Sequence, residues 1–278
     1  MKIINVIENT VGRSGCAFAH GLSFYAETAK HRMLIDLGPS EESIENAGKL
    51  GIDLGGIDTV ILSHGHYDHS GGILAFSQIN PRADIYMQKT AVMDYYADDG
   101  EDAAGGRYRY IGIDKRICDL EQVMLVDGDL VIDDELELFT VKEEKYEIPF
   151  TNRRLLLKTG EHFERDDFRH EHYLVIHEGG KNVLISGCAH KGIPNIMDAY
   201  TEKYGSAPDV VISGFHLMKK TPYSDRQLGE IKEIAHKLKE YPTGFVTCHC
   251  TGIEAYEIMK EIMGDKLEYV HSGEEILI

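Results

Sequence analysis

The feature that most constrains this chain of 278 residues is a short sequence pattern that occurs four times. An apolar run ends in a polar turn that carries histidine, and a helix follows. The four segments are TVILSHGHYDHSGG, NVLISGCAHKGIPNI, DVVISGFHLMKK and GFVTCHCTGIEAY. In layered α/β proteins the loops at the carboxyl ends of strands converge, and ligands bind there. The pattern therefore predicts an α/β fold in which four histidine-bearing loops meet at one rim.

Shorter signals predict the surrounding elements. The runs IINVI, LSFYAET and RMLIDLG are rich in β-branched and aromatic residues and predict strands. YLVIHEGGKNVLIS predicts a hairpin that turns at Gly179–Gly180. PSEESIENAGKLG predicts a helix that Ser40 caps and Gly51 ends. GIPNIMDAYTEKYG, SDRQLGEIKEIAHKLKE and GIEAYEIMKEIMG predict three further helices, and Ser224 with Gln227 predicts a capping box.

No linker or low-complexity segment divides the chain, so we predict a single domain over residues 1–278. Its length and apolar content are sufficient for a substantial core without disulfide bonds. Residues from about Ala97 to Asp119 are rich in Gly, Asp and Tyr and lack clear periodicity. We therefore predict a long surface excursion near 97–119.

Charge and cysteine content exclude some classes of protein. The formal net charge of -18 disfavours a general nucleic-acid binder or a binder of anionic membranes, because phosphates would be repelled. Five cysteines are too few and too scattered for a disulfide framework, which predicts reduced thiols. The first residues, MKIINVIENT, lack the long apolar region of a signal peptide, and no apolar run is long enough to span a bilayer. We expect a cytoplasmic protein, and its oligomeric state stays open.

The segment VILSHGHYDHSGG carries four good metal ligands within six residues. His64 and His66, two apart in an extended turn, can point the same way and share one ion. Asp68 and His69 lie on the next bend and can face a second ion. A surface turn that happens to be rich in histidine is the alternative, but a motif this long directly after a strand favours metal binding.

The pattern His64-x-His66-x-Asp68-His69 is the signature of the metallo-β-lactamase superfamily, and the chain resembles that superfamily over nearly its whole length. The resemblance implies a four-layer αββα sandwich with one or two metal ions at one edge. Asp36 in LIDLG also matches superfamily members. More narrowly, HGLSFYAET, SHGHYDHSGG, SGCAHKGIPNI, GFHL and CHCTG together resemble metal-dependent hydrolases that are similar to dihydropterin ribofuranosylaminobenzene-phosphate synthase.

The resemblance also points to ligands in the later loops. Many superfamily members have a bridging Asp where this chain has Cys188. Either Cys188 bridges two ions as a thiolate, or His190 completes the site; we expect His190 as the ligand and Cys188 as a small buried residue. His249 matches the histidine that completes the second metal position. Cys248 and Cys250 flank it and point the other way if the segment is extended.

Other histidines have less certain roles on sequence alone. His216 could bind metal, act as a proton donor to substrate or orient a ligand. His20 could contact substrate or be structural, and Lys191 could anchor an anion. The stretch EHFERDDFRHEHY, residues 161–173, is expected to be a solvated loop, although one of its carboxylates could reach the site in place of the missing Asp.

The resemblance implies a metal-dependent hydrolase with a binuclear centre, in which a metal-activated hydroxide attacks the substrate. We expect two divalent ions, with zinc favoured and manganese or iron as alternatives. Asp68 and His216 are the expected catalytic residues. Lys191, His216 and His20 are expected to bind a small anionic substrate, most plausibly a phosphoester or phosphodiester.

Other functions remain open at this point. The narrower resemblance allows a synthase that couples a dihydropterin to an aminobenzene ribofuranosyl phosphate, and a non-catalytic metal-binding module is a further alternative. A redox diiron protein is disfavoured, because those superfamily members have Glu where this chain has His66. The GCAH and CHCTG loops argue against a β-lactamase or a glyoxalase-like thioesterase.

Overall fold

The computed structural model describes residues 1–278 and contains eighteen strands and six α-helices. The strands are β1 (Lys2–Ile7), β2 (Ser23–Glu27), β3 (Arg32–Ile35), β4 (Thr59–Ile61), β5 (Asp84–Gln88), β6 (Asp94–Asp98), β7 (Tyr108–Tyr110), β8 (Val123–Val126), β9 (Leu130–Val131), β10 (Leu136–Phe139), β11 (Leu155–Thr159), β12 (His162–Arg165), β13 (Tyr173–Glu178), β14 (Lys181–Ile185), β15 (Val210–Ser213), β16 (Gly244–Thr247), β17 (Leu267–Tyr269) and β18 (Glu275–Ile276). The helices are α1 (Glu42–Lys49), α2 (Tyr67–Ser70), α3 (Ile73–Ile79), α4 (Ile193–Tyr204), α5 (Asp225–Lys239) and α6 (Ile253–Met263).

The strands form two seven-stranded sheets and one smaller sheet. The first has the order β18-β1-β2-β3-β4-β5-β8, and the second has the order β17-β16-β15-β14-β13-β10-β9. Strands β3, β4, β5 and β8 run parallel in the first sheet, and β14 to β17 run parallel in the second. The smaller sheet has four strands in the order β12-β11-β6-β7.

Three apolar clusters stack these elements into layers. Side chains such as Phe24 of the first sheet and Leu174 of the second form the cluster between the two sheets. Phe76 of α3 belongs to a cluster on the outer side of the first sheet, and Ile196 of α4 and Met259 of α6 belong to another on the outer side of the second. Each sheet therefore has one face against the other sheet and one face under helices. The predicted four-layer αββα sandwich is confirmed.

Most local predictions hold because they depend on contacts close in sequence. The hairpin between β13 and β14 turns at Gly179 and Gly180, whose φ angles of 62° and 76° suit glycine. Helix α5 begins with the predicted capping box of Ser224 and Gln227. The N-cap position of α1 is Glu41 rather than the predicted Ser40, although the Ser40 Oγ still accepts a hydrogen bond of 3.3 Å from the amide of Glu42 at the first turn.

A second hydroxyl also holds the first turn of α1. The Oγ of Ser43 donates to the Leu37 carbonyl at 2.6 Å, which ties the first turn of the helix to the end of β3. The end of α1 follows the prediction, because Gly51 has a φ of 75° just beyond the last turn.

Segment 97–119 forms part of the smaller sheet and then returns to the main body. Strand β7 pairs with β6, and the tip between them is exposed. Beyond β7, Ile111, Ile113 and Ile117 are buried. The carbonyl of Ile111 accepts a hydrogen bond of 2.9 Å from the amide of Tyr67, so the returning segment packs beside the histidine motif.

The fold brings the four histidine-bearing loops to one edge. Strands β14, β15 and β16 are parallel neighbours, so their carboxyl ends share a side of the second sheet. The loop after β4 meets them from the first sheet, as its side-chain contacts below show. None of the six helices has both the length and the apolar content that a membrane crossing requires.

Candidate metal centre

The first group of ligand side chains consists of His64, His66 and His190. Their ligand atoms lie within 4.8 Å of one another, and all three residues are buried. The Nε2 atoms of His64 and His190 are 3.3 Å apart. The Nε2 of His66 is buried without a hydrogen-bond partner. Three buried imidazoles therefore face a common point.

Hydrogen bonds to the other ring nitrogen fix which atom each imidazole presents. Ser63 Oγ donates to Asp36 at 2.7 Å and so accepts from Nδ1 of His64 at 2.9 Å. The amide oxygen of Asn152 accepts from Nδ1 of His190 at 2.9 Å. Both Nε2 atoms then carry lone pairs that face each other, an arrangement that repels unless a cation lies between them.

The second group consists of Asp68, His69 and His249, whose ligand atoms also lie within 4.8 Å of one another. The Nδ1 atoms of the two histidines donate to Asp36 Oδ2 at 2.6 Å and to Asn9 Oδ1 at 2.8 Å. Their Nε2 atoms lie 3.8 Å and 3.6 Å from Asp68 Oδ2. The Nε2 of His249 is buried and unpaired, so this group also offers lone pairs to a cation.

Burial sets the protonation states that metal binding needs. Burial, reinforced by neighbouring histidines, holds the pKa values of His64 and His190 well below the usual range and lowers that of His66 to about 3. For Asp68, burial acts to raise the pKa, but His69 and His249 outweigh it and the pKa lies well below normal. His69 differs from the first group, because burial acts to lower its pKa but Asp36 and Asp68 outweigh that effect and the pKa is raised. A divalent ion binds neutral imidazoles and an ionised carboxylate, so its binding would displace any proton from His69.

The loops that hold these side chains have unusual backbone conformations. Five residues other than glycine have positive φ angles between 49° and 59°, namely Asp36, Phe168, Ala189, His216 and His249. All five lie in or beside the two ligand groups, since even Phe168 stacks on His190 with ring centroids 4.8 Å apart. Such strained conformations persist where surrounding contacts over-determine them, and they cluster at functional sites.

Glycine permits the close packing behind the motif. A Cβ at Gly71 would lie 2.1 Å from the carbonyl oxygen of Pro39. No larger residue fits there without moving the loop after β3. That loop begins with Asp36, which positions His69 and the Ser63 partner of His64.

His216 lies beside the first group but belongs to neither group. Its ring centroid is 4.2 Å from that of His190, and its Nδ1 lies 2.7 Å from Thr151 Oγ1. The hydroxyl of Thr151 also donates to the His216 carbonyl, so it accepts from Nδ1 and leaves Nε2 with a lone pair. Burial lowers the pKa of His216 to about 3.

The two other predicted substrate contacts lie at the margin. His20 is half exposed, and its Nε2 is 3.5 Å from Asp68 Oδ2. Burial of the rest of its ring lowers its pKa to about 4. The Nζ of Lys191 is 2.6 Å from Glu144 Oε1, so this lysine is ion-paired rather than free.

The prediction of a solvated loop over residues 161–173 is wrong for its second half. His162 and Asp167 are exposed, but Asp166, His170 and His172 are buried. His170 accepts from the Gly65 amide at 2.9 Å and lies 3.0 Å from Asp166 Oδ2. With His66, these two residues make a third group of ligand atoms within 4.8 Å.

The polar side chains of this stretch are buried because they bind backbone groups instead of solvent. His172 Nε2 lies 2.8 Å from the Leu62 carbonyl, and Glu171 accepts from the amides of His190 and Lys191 at 2.7 Å and 2.9 Å. These side chains satisfy the backbone of the loops that carry the motif. The high density of His and Asp in residues 161–173 is the sequence feature that could have indicated a buried role for them.

The expectation for the cysteines flanking His249 is wrong for Cys250. Residues His249–Thr251 form a 3₁₀ turn rather than an extended segment. Cys248 packs between the two sheets, but Cys250 Sγ lies within 4.8 Å of the ligand atoms of Cys188 and His249. Three supporting residues also escaped prediction, because Asn9, Thr151 and Asn152 have no pattern that sets them apart in sequence.

Comparisons with known proteins identify the family of this chain. The family model described as the metallo-beta-lactamase superfamily matches residues 18–216. The structure of a metal-dependent hydrolase of the beta-lactamase superfamily superposes with a TM-score of 0.83 at 27% identity, covering 100% of this chain and 99% of the other.

Two relatives from Methanocaldococcus jannaschii match by sequence. An uncharacterised protein is 27% identical and covers 98% of each chain. The enzyme named 7,8-dihydropterin-6-methyl-4-(beta-D-ribofuranosyl)-aminobenzene-5'-phosphate synthase is also 27% identical, covering 99% of this chain and 96% of its own. With the family model covering more than half of its residues, this chain belongs to the metallo-β-lactamase superfamily.

Proposed function

We propose that this protein is a hydrolase of small phosphorylated molecules and that its centre holds two divalent ions. The observation that carries the proposal is the convergence of two buried ligand groups, each of which contains one histidine whose Nε2 is buried without a partner, His66 in the first and His249 in the second. The first ion would be held by His64, His66 and His190. The second would be held by Asp68, His69 and His249. These are the six residues that the sequence motif and the strand ends suggested.

Divalent ions at these positions would supply Lewis acidity and an activated water molecule. The residues of the chain hold them in place, because Ser63, Asn152, Asp36 and Asn9 each fix one imidazole through Nδ1. Such supporting contacts set ring orientation and raise ligand basicity. Imidazole with one carboxylate is a donor set that suits zinc.

Two side chains are placed to handle protons. The ionised carboxylate of Asp68 faces the second group and can accept a hydrogen bond from the attacking water, which orients it. His216 presents its Nε2 lone pair beside His190 and can accept a hydrogen bond there from water or substrate. We therefore assign His216 an acceptor role rather than the donor role considered from sequence.

The charge balance supports a small anionic substrate. The chain carries a net charge of -18, so phosphates would be attracted chiefly by the bound ions and not by the surface at large. His20 is half exposed beside Asp68 and is placed to contact a substrate. Lys191 would have to leave Glu144 to do the same. A nucleic-acid or membrane partner is not part of this proposal.

The first experiment is elemental analysis of protein purified without chelator or added metal. We expect about two ions per chain, with zinc predominant, and turnover of members of a phosphoester and phosphodiester panel. His66→Ala should lose metal and turnover, and the exposed His162→Ala should keep both. Absence of metal, even after it is offered back, would overturn the proposal.

The synthase activity is a second candidate, which the synthase relative of nearly equal length favours. A panel that includes a dihydropterin diphosphate and an aminobenzene ribofuranosyl phosphate separates the two. Coupling of the pterin to the aminobenzene, with release of diphosphate and no hydrolysis of simple phosphoesters, would favour the synthase. Tight metal binding with no turnover in either panel would favour a non-catalytic metal-binding module.

The compartment follows from thiol chemistry. All five cysteines are free, and Cys188, Cys248 and Cys250 are buried. Unpaired thiols beside a metal centre favour a reducing environment. We therefore propose a cytoplasmic location, which fractionation of the native host would test.

A further inference from the structure

We propose that Arg109 and Arg154 form a binding site for a second anionic group of the substrate, a phosphate or carboxylate that lies away from the bond to be hydrolysed. The proposal rests on the function proposed above and narrows its substrate class to small molecules with two anionic groups. It also gives a binding role to segment 97–119, which contains Arg109 and its partner Asp99.

The two arginines share a single carboxylate. Arg109 Nε donates to Asp99 Oδ2 at 2.8 Å, and a terminal guanidinium nitrogen of Arg154 donates to Asp99 Oδ1. No other carboxylate of the chain pairs with two arginines, and the neighbouring Arg107 has two carboxylates to itself. The cluster therefore carries an excess of positive charge, in a chain whose acidic residues outnumber its basic residues by 47 to 29.

Both arginines belong to segments that build the candidate metal centre. Arg109 is two residues from Ile111, whose carbonyl accepts from the amide of Tyr67 within the histidine motif at 2.9 Å. Arg154 is two residues from Asn152, which fixes one imidazole of the first ligand group. One arginine is thus tied to the histidine motif, and the other is tied to the segment behind the first ligand group.

A third segment of the rim adds positive charge to the cluster. Lys220 follows His216 by four residues in the loop after β15, is exposed and has no ion-pair partner. Arg109 chiefly lowers the pKa of Asp99, and Lys220 contributes to that effect. The side chains of Arg109 and Arg154 are 47% and 49% exposed. The cluster is therefore open to a ligand that approaches the metal centre.

The donors that remain free suit a phosphate or a carboxylate. Each guanidinium uses one of its three nitrogens on Asp99, which leaves the others free to donate to a second anion. Arginine binds both kinds of anion through paired N–H donors, and such charge-assisted hydrogen bonds are stronger than neutral ones. The net charge of -18 repels anions over the surface at large, so a local excess of positive charge selects where an anion can dock.

Phosphonate binding tests the site without a need for turnover. Zinc-loaded protein is titrated by calorimetry with alkane bisphosphonates of increasing chain length and with alkylphosphonates of the same lengths, which keep one anionic group. In wild type, the best bisphosphonate should bind at least about 10-fold more tightly than its matched monophosphonate, because it adds charge-assisted hydrogen bonds to the two arginines. A gain from a carboxylate in place of the second phosphonate supports the site equally.

Variants assign that gain to the cluster. Arg109→Gln and Arg154→Gln should each remove most of it and leave monophosphonate binding unchanged, and Arg107→Gln, which removes the same charge two residues from Arg109, should behave as wild type. Asp99→Asn should bind the bisphosphonate more tightly, because its carboxylate no longer opposes a second anion. If the arginines only anchored segment 97–119, Asp99→Asn would reproduce the loss seen in the arginine variants, and that result would overturn the proposal.

The outcomes separate this inference from the proposed function. Equal binding of the matched phosphonates at every chain length would overturn the second anion site and leave the metal centre standing. A chain that binds no zinc but still prefers bisphosphonates through Arg109 and Arg154 would overturn the proposed function and keep the two arginines as an anion site.

A crystal structure of wild type with the best bisphosphonate covers the case in which an arginine variant does not fold. A phosphonate group on the guanidinium groups of Arg109 and Arg154 would support the proposal. Placement of both phosphonate groups elsewhere would contradict it without any variant.

Discussion

Histidines at the two ends of the sandwich have opposite electrostatic environments. At the carboxyl end of β4, burial lowers the pKa values of His64 and His190, and their Nε2 atoms face each other. At the amino end of the same strand, His31 has both ring nitrogens on carboxylates, with Asp58 at 2.8 Å and Asp133 at 2.7 Å. Burial acts to lower the pKa of His31, but the two carboxylates outweigh it and the pKa is raised.

The difference shows that burial and the hydrogen-bond partners of the ring nitrogens together determine whether a histidine favours the neutral or the charged form. Around the candidate metal centre, Ser63 and Asn152 are uncharged acceptors for His64 and His190, whose pKa values burial lowers. His69 is intermediate, because its Nδ1 donates to the Asp36 carboxylate and its pKa is raised despite burial. At the other end, two carboxylates favour the imidazolium, which then links the β2–β3 turn to the β9–β10 turn. One end carries groups of side chains that could hold a metal ion, and at the other end the raised pKa of His31 favours a cationic imidazolium within the protein itself.

Removal of a ligand should have the largest effect. His66→Ala is expected to lower metal affinity by more than about 100-fold, which exceeds the usual loss for a supporting residue, and to abolish turnover. Because the side chain lies in a loop beside the core, the metal-free variant should unfold close to the wild-type temperature. Elemental analysis and thermal unfolding of metal-free proteins check this, and full metal content with unchanged turnover would contradict the ligand assignment.

Asp36→Asn should affect both the fold and the metal. The carboxylate accepts from the Ser63 amide and hydroxyl at 2.7 Å each and from His69 at 2.6 Å. We expect metal-free protein to lose about 1–3 kcal/mol of unfolding free energy and metal affinity to fall about 10–100-fold. Urea unfolding and zinc titration measure the two effects. Asp127→Asn, at an exposed carboxylate, is the control, and equal behaviour of the two variants would contradict the positioning role.

Removal of the uncharged hydrogen-bond acceptors should weaken the two proposed ion positions one at a time. Asn152→Ala removes the partner of His190, and Asn9→Ala removes the partner of His249. Each variant should weaken binding of one ion by about 10-fold and leave the other near wild type. Stepwise metal titration with an ion-sensitive dye resolves the two. Identical loss of both ions in both variants would indicate a single shared site.

The smallest effect is expected at the opposite end. Because the folded pKa of His31 is raised, its ion pairs stabilise the fold fully below its unfolded pKa of about 6.5. That contribution is lost as pH rises through the folded value. His31→Gln should therefore cost up to about 1 kcal/mol at low pH, since the pair is partly exposed, and little at pH well above neutral.

Urea unfolding of wild type and His31→Gln across that pH range measures the difference. Asp133→Asn, which keeps the histidine but removes one carboxylate, should reduce the same pH dependence. Metal content should not change in either variant. A stability difference that grows with rising pH would contradict the assignment of a charged His31.

Predictions from sequence succeeded where the interacting residues are close along the chain or repeat with a clear period. The Gly179–Gly180 hairpin and the Ser224–Gln227 capping box depend on neighbours a few residues apart. The strand and helix patterns behind the αββα sandwich depend on periodic apolar residues. The spacing of His64 to His69 predicts two pairs of candidate ligands on one short loop, and the structure brings their ligand atoms into two close groups.

Other features depend on contacts between residues far apart in sequence. Asn9 reaches His249 across 240 positions, and Cys188 reaches His69 across 119. Burial of Asp166 and His170 is also a property of the assembled loops, since the same polar residues would be expected in a solvated turn.

The amino-acid order thus carries the layered fold and the metal-ligand motif, because local periodicity and spacing encode them. Which nitrogen each histidine presents, and which cysteine sulfurs lie beside the site, depends on how distant loops pack around the same rim. Hydrogen-bond partners supplied across the fold set those protonation states, and no local pattern in the chain specifies them.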